Sequence, residues 1–230
     1  MLRHTDRDYE RELETLRERV LFMGAQVESL VHTAFVALQR RDATTAHAAI
    51  ALDEEIDHLE VEIDELSLRV LARRQPVASD LRFITTTLKL VTDLERAADL
   101  GVNVAERVVE LAAYRQTFDV LNTLNQMADI TIGMLRDALD AFVSADAIKA
   151  EQVLDRDAAV DSLYSELFPA LISQMVADIQ NVEQATRIQS VGKYIERIAD
   201  HATNIAEMVI FMVKGQDVRH HFNVIATGRA

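Results

Sequence analysis

From Leu13 onward the chain places apolar residues at alternating steps of three and four. Leu13, Leu16, Val20, Met23, Val27, Leu30, Ala34 and Ala37 trace one seam, with charged residues between them. That spacing marks one face of a long α-helix. The helix should end near Arg40–Arg41, where Asp42 reads as the N-cap of the next. The second helix carries Leu52, Ile56, Leu59, Ile63, Leu66 and Val70 on one face and stops at Arg73-Arg74-Gln75-Pro76. Pro76 is placed to open a third helix in its first turn, running to about Ala113. After a break around Tyr114–Thr117, Leu121, Leu124, Ala128, Leu135, Ala138 and Phe142 define a fourth helix. Asp146 reads as the cap of a fifth, which carries Val153, Val160, Leu163, Leu167 and Leu171, and Pro169 should kink it. Asn181 followed by Gln184 reads as a variant capping box opening a sixth helix, closed by Lys214-Gly215. Residues 216–230 carry no clear pattern and are expected to fray.

Six long helices, three and then three, invite a search for a repeat. Residues 93–106 and 194–207 share Glu, Arg, Ala, Asp, Asn, Ala and Glu, seven of fourteen positions at an offset of 101. Upstream, Asp53-Glu-Glu-Ile-Asp57-His-Leu matches Asp157-Ala-Ala-Val-Asp161-Ser-Leu at an offset of 104. Two matches, in the same order and at nearly equal offsets, indicate a duplicated three-helix unit. The expected fold is all-α, two tandem pseudo-repeated three-helix bundles over residues 1–116 and 117–230, with short connections giving antiparallel neighbours.

Composition sharpens this picture. The 230 residues hold 38 Asp and Glu against 24 Lys and Arg, a net charge of −14, and no Cys. The acidic balance argues against a nucleic-acid partner and favours cations or basic protein surfaces. Missing cysteine excludes a disulfide scaffold, a zinc–thiolate site and a thiol nucleophile. No signal-peptide pattern opens the chain, and the apolar run Met208–Val213 is far short of the roughly 20 residues a spanning helix needs. A cytoplasmic protein that does not span a membrane is the expectation.

The repeated positions carry the chemistry. At about 100° per residue, Glu95, Asp99, Asn103 and Glu106 fall within an arc of about 80°, as do Glu196, Asp200, Asn204 and Glu207. Asp53, Asp57, Glu60 and Asp64 form a second stripe, each one position after a core residue. In the other half only Asp157 and Asp161 persist, because Tyr164 and Phe168 take the later places. Like charges at this spacing disfavour a helix unless something positive sits among them. Oxygen-rich stripes suit Mg, Mn, Fe or Ca ions, and His201 could add a nitrogen that widens the choice to Zn. The plain alternative is a solvated acidic face. Arg73, Arg74 and Arg82 gather around Pro76 and offer an anion or partner contact, or else complement the end of the second helix.

Asp93-Leu-Glu-Arg-x-x-Asp99 and Tyr194-Ile-Glu-Arg-Ile-Ala-Asp-His-Ala-Thr-Asn-Ile-Ala-Glu207 resemble the paired signature of the PhoU family, bacterial regulators of phosphate transport. Arg73-Arg-Gln-Pro-Val-Ala-Ser-Asp-Leu-Arg82 resembles another stretch of that family. The resemblance implies a cytoplasmic negative regulator of the phosphate-starvation response and of phosphate uptake. It implies a non-enzymatic adaptor between the ATPase of a phosphate ABC transporter and a sensor histidine kinase, assembled as a homodimer. It also implies metal ligands at Asp53, Asp57, Glu95 and Asp99, then at Asp157, Asp161, Glu196 and Asp200. Leu100 stands where the family pattern has His, so the first site lacks that nitrogen. Two alternatives remain: a ferritin-like di-metal protein, for which only Glu55-x-x-His58 has the spacing, and a metal-free helical adaptor.

Overall fold

A computed structural model describes residues 2–114, 118 and 120–218, with side chains described from residue 7. The elements are α1 (Leu2–Arg40), α2 (Ala43–Ile50), α3 (Asp53–Arg74), α4 (Ala78–Leu111), α5 (Leu121–Ser144), α6 (Ala147–Ala177), a 3₁₀ turn (Ile179–Asn181) and α7 (Val182–Lys214). The all-α, twice-repeated architecture follows the apolar seams. The tail from residue 219 onward, and residues 115–117 of the central break, lie outside the described residues.

Several helix ends form where the sequence placed them. Asp42 accepts from the Thr44 N–H at the start of α2, and Asp146 accepts from Ile148 and Lys149 at the start of α6. Gly215 closes α7 in the left-handed conformation, φ 68°. Three details differ. The expected second helix breaks at Ala51–Leu52 into α2 and α3, and α3 restarts with Asp53, Glu54 and Glu55 in its first turn, where the helix dipole favours acids. Pro76 stands ahead of α4 rather than in its first turn: Gln75 is left-handed and Val77 extended, so the helix starts at Ala78. Asn181 does not cap α7 with its side chain; its Nδ2 donates to the Gln174 carbonyl at 3.0 Å, and Asp178 caps the 3₁₀ turn instead. Through Pro169, α6 continues as one helix.

The first repeat packs α1, α2, α3 and α4 together; the second packs α5, α6 and α7. Helices α4 and α7 make the most extensive contact of any pair, so the signature-bearing helices form the joint between repeats. Helix α3 packs on α1 and α4, and α6 on α5 and α7. One buried cluster runs through both repeats, from Leu16 to Ile210. By length and composition α1 could cross a membrane, yet Leu16, Val20, Met23, Val27, Leu30 and Ala34 on it are fully buried against other helices. Its apolar character is that of a core helix. Close approach needs glycine: a Cβ on Gly101 would meet Leu30 Cδ2 at 2.6 Å, and one on Gly192 would meet Leu167. Those two contacts seat α4 on α1 and α7 on α6.

Candidate functional site: two acid faces

Each acid face is built by a pair of neighbouring helices. In the first repeat α3 brings Asp53, Asp57 and Glu60 against Glu95 and Asp99 of α4, with Asp64 beside Glu60. Burial raises the Asp53 carboxyl first, and the charges of Asp57 and Asp99 add to it. Glu60 is raised by burial, then by Asp64 and Asp57. Glu95 has only 16% of its side chain exposed, and burial, followed by Asp99, pushes it up to about 7. Asp64 is raised by burial, and its Oδ1 lies buried with no hydrogen-bond partner among the described residues. The stripes inferred from spacing on separate helices therefore act on one another across the α3–α4 seam.

The second repeat repeats the plan with fewer acids. Burial pushes Asp157 up to about 6, and Asp161, Asp200, Glu196 and Glu207 add to that push. Asp200 keeps an open side to solvent but is walled by protein elsewhere. Burial and then Glu196 raise its carboxyl, against the pull of Lys193. Lys193 Nζ lies 2.6 Å from Glu196 Oε2 and over the Tyr164 ring at 5.5 Å, while Gln189 holds the Tyr164 hydroxyl at 2.9 Å. At the offset of 104, Tyr164 and Phe168 take the places of Glu60 and Asp64. In the first repeat Arg96 leans on Glu95 and Asp99 more loosely, at 3.4 and 3.5 Å. The sequence stripes looked free of cations; the structure brings Lys193 and Arg96 onto them from the same helices.

The remaining candidates are spread elsewhere. Asn103 turns back to its own helix and donates to the Asp99 carbonyl, and Glu106 is exposed beside Arg107. His201 Nδ1 lies 2.6 Å from Asp93 Oδ1, and Asn204 donates to the same oxygen at 3.0 Å, so both tie α7 to α4. Glu207 also lines a small cleft of about 50 Å³ with Thr85, Lys89 and Asp217. Arg74 forms a bidentate pair with Glu12, at 2.7 and 3.0 Å. Arg82 donates to the Met212 carbonyl, and Arg73 is exposed at the end of α3. Glu55 accepts from Gln26 on α1, and His58 beside it is exposed, a surface setting unlike a ferritin-type interior site. Sequence reasoning missed Asp93 and Lys193. Asp93 aligns with Tyr194 in the repeat, so the comparison of the halves hid it, and Lys193 stands one place before the shared signature.

The donor set of each face is oxygen, which suits hard cations. The orphaned Asp64 oxygen, and the burial and neighbouring negative charge that raise Asp53, Glu60 and Glu95, fit the approach of positive charge. Among the described residues no three His, Asp or Glu side chains close on one point as a finished metal cage. Paired acid faces on a duplicated helical unit, joined through the helices that carry the signature, define a tandem helical-repeat protein. The family model of the PhoU domain matches this chain twice, over residues 20–108 and 124–209. The chain belongs to the PhoU family. It is 36% identical over 218 residues to the phosphate-specific transport system accessory protein PhoU homolog of Caulobacter vibrioides, covering 95% of each chain. It is 38% identical over 217 residues to the homolog of Pseudomonas aeruginosa, covering 94% of this chain and 90% of that one. The crystal structure of PhoU from Pseudomonas aeruginosa superposes with a TM-score of 0.88 at 37% identity, over 90% of this chain and 100% of that one. That of the phosphate transport system regulatory protein PhoU from Streptococcus pneumoniae gives 0.83 at 29% identity, over 91% and 99%.

Proposed function

We propose that this protein is a cytoplasmic, non-enzymatic adaptor that restrains the phosphate-starvation response and phosphate uptake. It would link the ATPase of a phosphate ABC transporter to a sensor histidine kinase, as a homodimer. The observation that carries the reading is the similarity along nearly the whole chain to relatives named as accessory proteins of phosphate-specific transport. The molecule's distinctive chemistry supports binding rather than turnover, because it consists of carboxylate charge spread over helix surfaces. Deleting the gene in the source organism should switch on a phosphate-starvation reporter in phosphate-rich medium. A reporter that stays silent after deletion would overturn the regulatory reading.

Metal on the acid faces is the second part of the proposal. Asp53, Asp57, Glu95 and Asp99 would hold an ion in the first repeat, and Asp157, Asp161, Glu196 and Asp200 in the second. Iron, zinc, manganese or magnesium would supply fixed positive charge there and stiffen the α3–α4 and α6–α7 seams. The faces differ in what they already hold. Lys193 stands 2.6 Å from Glu196 as a built-in cation, whereas the first repeat has the longer acid stripe. Calorimetric titration of chelator-treated full chain with Mn²⁺ should show uptake that Asp53→Asn and Glu95→Gln together abolish. A chain that takes up no ion would leave the metal-free adaptor as the surviving reading.

A further inference from the structure

Among the described residues, one face of α6 has no partner. The helix carries two neighbouring apolar rows. Val160, Leu167 and Leu171 are buried against its own repeat. Phe168, Ile172 and Val176, each four residues after the last, point outward with 50%, 41% and 81% of their surface exposed. Residues four apart share a helix face, so these three form one ridge. Ile179 in the 3₁₀ turn, 76% exposed, and Val182 at the start of α7, 37% exposed, follow in the chain. Scattered exposed apolar residues are ordinary, but five large ones within fifteen residues are a patch of the kind that marks an interaction surface. The first repeat keeps only one of the three ridge positions: at the offset of 104, Phe168 and Val176 correspond to Asp64 and Ala72, and Ile172 to Leu68, which is 59% exposed. The two repeats differ here, with an apolar ridge in the second that begins where the acid stripe of the first ends, at Phe168 and Asp64.

Charge identifies the occupant. Residues 157–186 contain Asp157, Asp161, Glu166, Asp178 and Glu183 and no Lys or Arg. The first two cations of α7 are engaged, Arg187 with Glu110 and Glu183, Lys193 with Glu196 and Tyr164. A second copy of this chain would set acid rim against acid rim. We propose that the α6 ridge docks an amphipathic helix of a partner protein, its apolar face on Phe168, Ile172 and Val176 and its Lys or Arg residues against the acidic rim. This is the helix-on-apolar-face mode of recognition, with charge choosing the partner and apolar contact holding it. The inference rests on the adaptor reading in taking the ligand to be a protein helix.

The test uses full-length protein and two dye-labelled helical peptides, one of Leu and Lys and its counterpart of Leu and Glu, with binding read by fluorescence anisotropy at physiological salt. The Leu/Lys peptide should bind, and the Leu/Glu peptide should bind at least tenfold more weakly. Phe168→Asp, Ile172→Glu and Val176→Asp should each weaken the Leu/Lys peptide at least tenfold. These substitutions add negative charge, so attraction by net charge alone would tighten binding, the opposite sign. Val176 is so exposed that its variant reports on docking even if the Phe168 variant unfolds. Equal binding of the two peptides, or variants that bind as tightly as the parent, would overturn the proposal. So would a wild-type dimer that Phe168→Asp dissociates in sedimentation, since a second copy would then own the ridge. Failure of the reporter test leaves the peptide result standing, whereas a responsive reporter with ridge variants that bind normally defeats this inference alone.

Discussion

Glu95 sits in its seam with Asp99 and Arg96 beside it and burial around it, and its proton is held up to about 7, above the ordinary 4.5. A carboxyl raised on folding favours the folded state while both states are protonated. That advantage is lost as pH climbs through the folded value. Asp157, raised from 3.8 to about 6, acts in the same sense, as do Asp53, Glu60, Asp64 and Asp200. In chelator-treated protein the melting temperature should therefore fall between about pH 4.5 and pH 7. Glu95→Gln should raise it by ~2–4 °C at pH 8 and leave it unchanged at pH 4.5. A flat profile for the parent and an inert variant would contradict this. Lys193 tests the other face. Lys193→Met removes the ammonium from Glu196, and because that lysine is half exposed the loss should be at most about 1 kcal/mol. Added Mn²⁺ should restore the melting temperature of Lys193→Met more than that of the parent. Equal response of both proteins would mean the lysine does not stand in for an ion.

The helices show which features a sequence can reveal. The seam of α1 and the caps Asp42, Asp146 and Gly215 were readable because each rests on local chemistry, a spacing or a side chain facing its own backbone. Asp146→Ala should accordingly cost about 1 kcal/mol in urea denaturation, by freeing the Ile148 and Lys149 N–H groups. No change would mean another group takes over the cap. The break at Ala51–Leu52 was not readable, because no glycine or proline marks it and the apolar seam runs straight through. Asn181 looked like a cap and instead tethers the end of α6, a choice made by the 3₁₀ turn. The acid stripes were legible as stripes. Their convergence across α3–α4 and α6–α7 was implied only by the family resemblance, since period fixes a face but not its neighbour. The same limit hid the α6 ridge: its exposed row and its buried row are equally apolar in sequence, and only packing separates Phe168 from Leu167.

At the scale of the molecule, the duplication is real but the halves have parted. Helices α4 and α7 join them, and the joint itself is unequal. Asp93 on α4 meets His201 and Asn204 on α7, while the equivalent positions, Tyr194 and Leu100, are a partly buried ring and a buried aliphatic side chain. Leu100 belongs to the core, so the missing histidine of the first signature reflects packing at that place. One half thus presents a long acid face, and the other a shorter one with its own lysine and an apolar ridge alongside. Two dissimilar faces on one helical frame are what the proposed adaptor would use to touch two partners. The most direct measurement is affinity purification of the protein, expressed at its native level and crosslinked in cells, with mass spectrometry of what accompanies it. A phosphate transporter ATPase and a sensor histidine kinase should be recovered from phosphate-rich cells and diminish on starvation. Recovery of neither, from cells shown to contain both, would contradict the adaptor account.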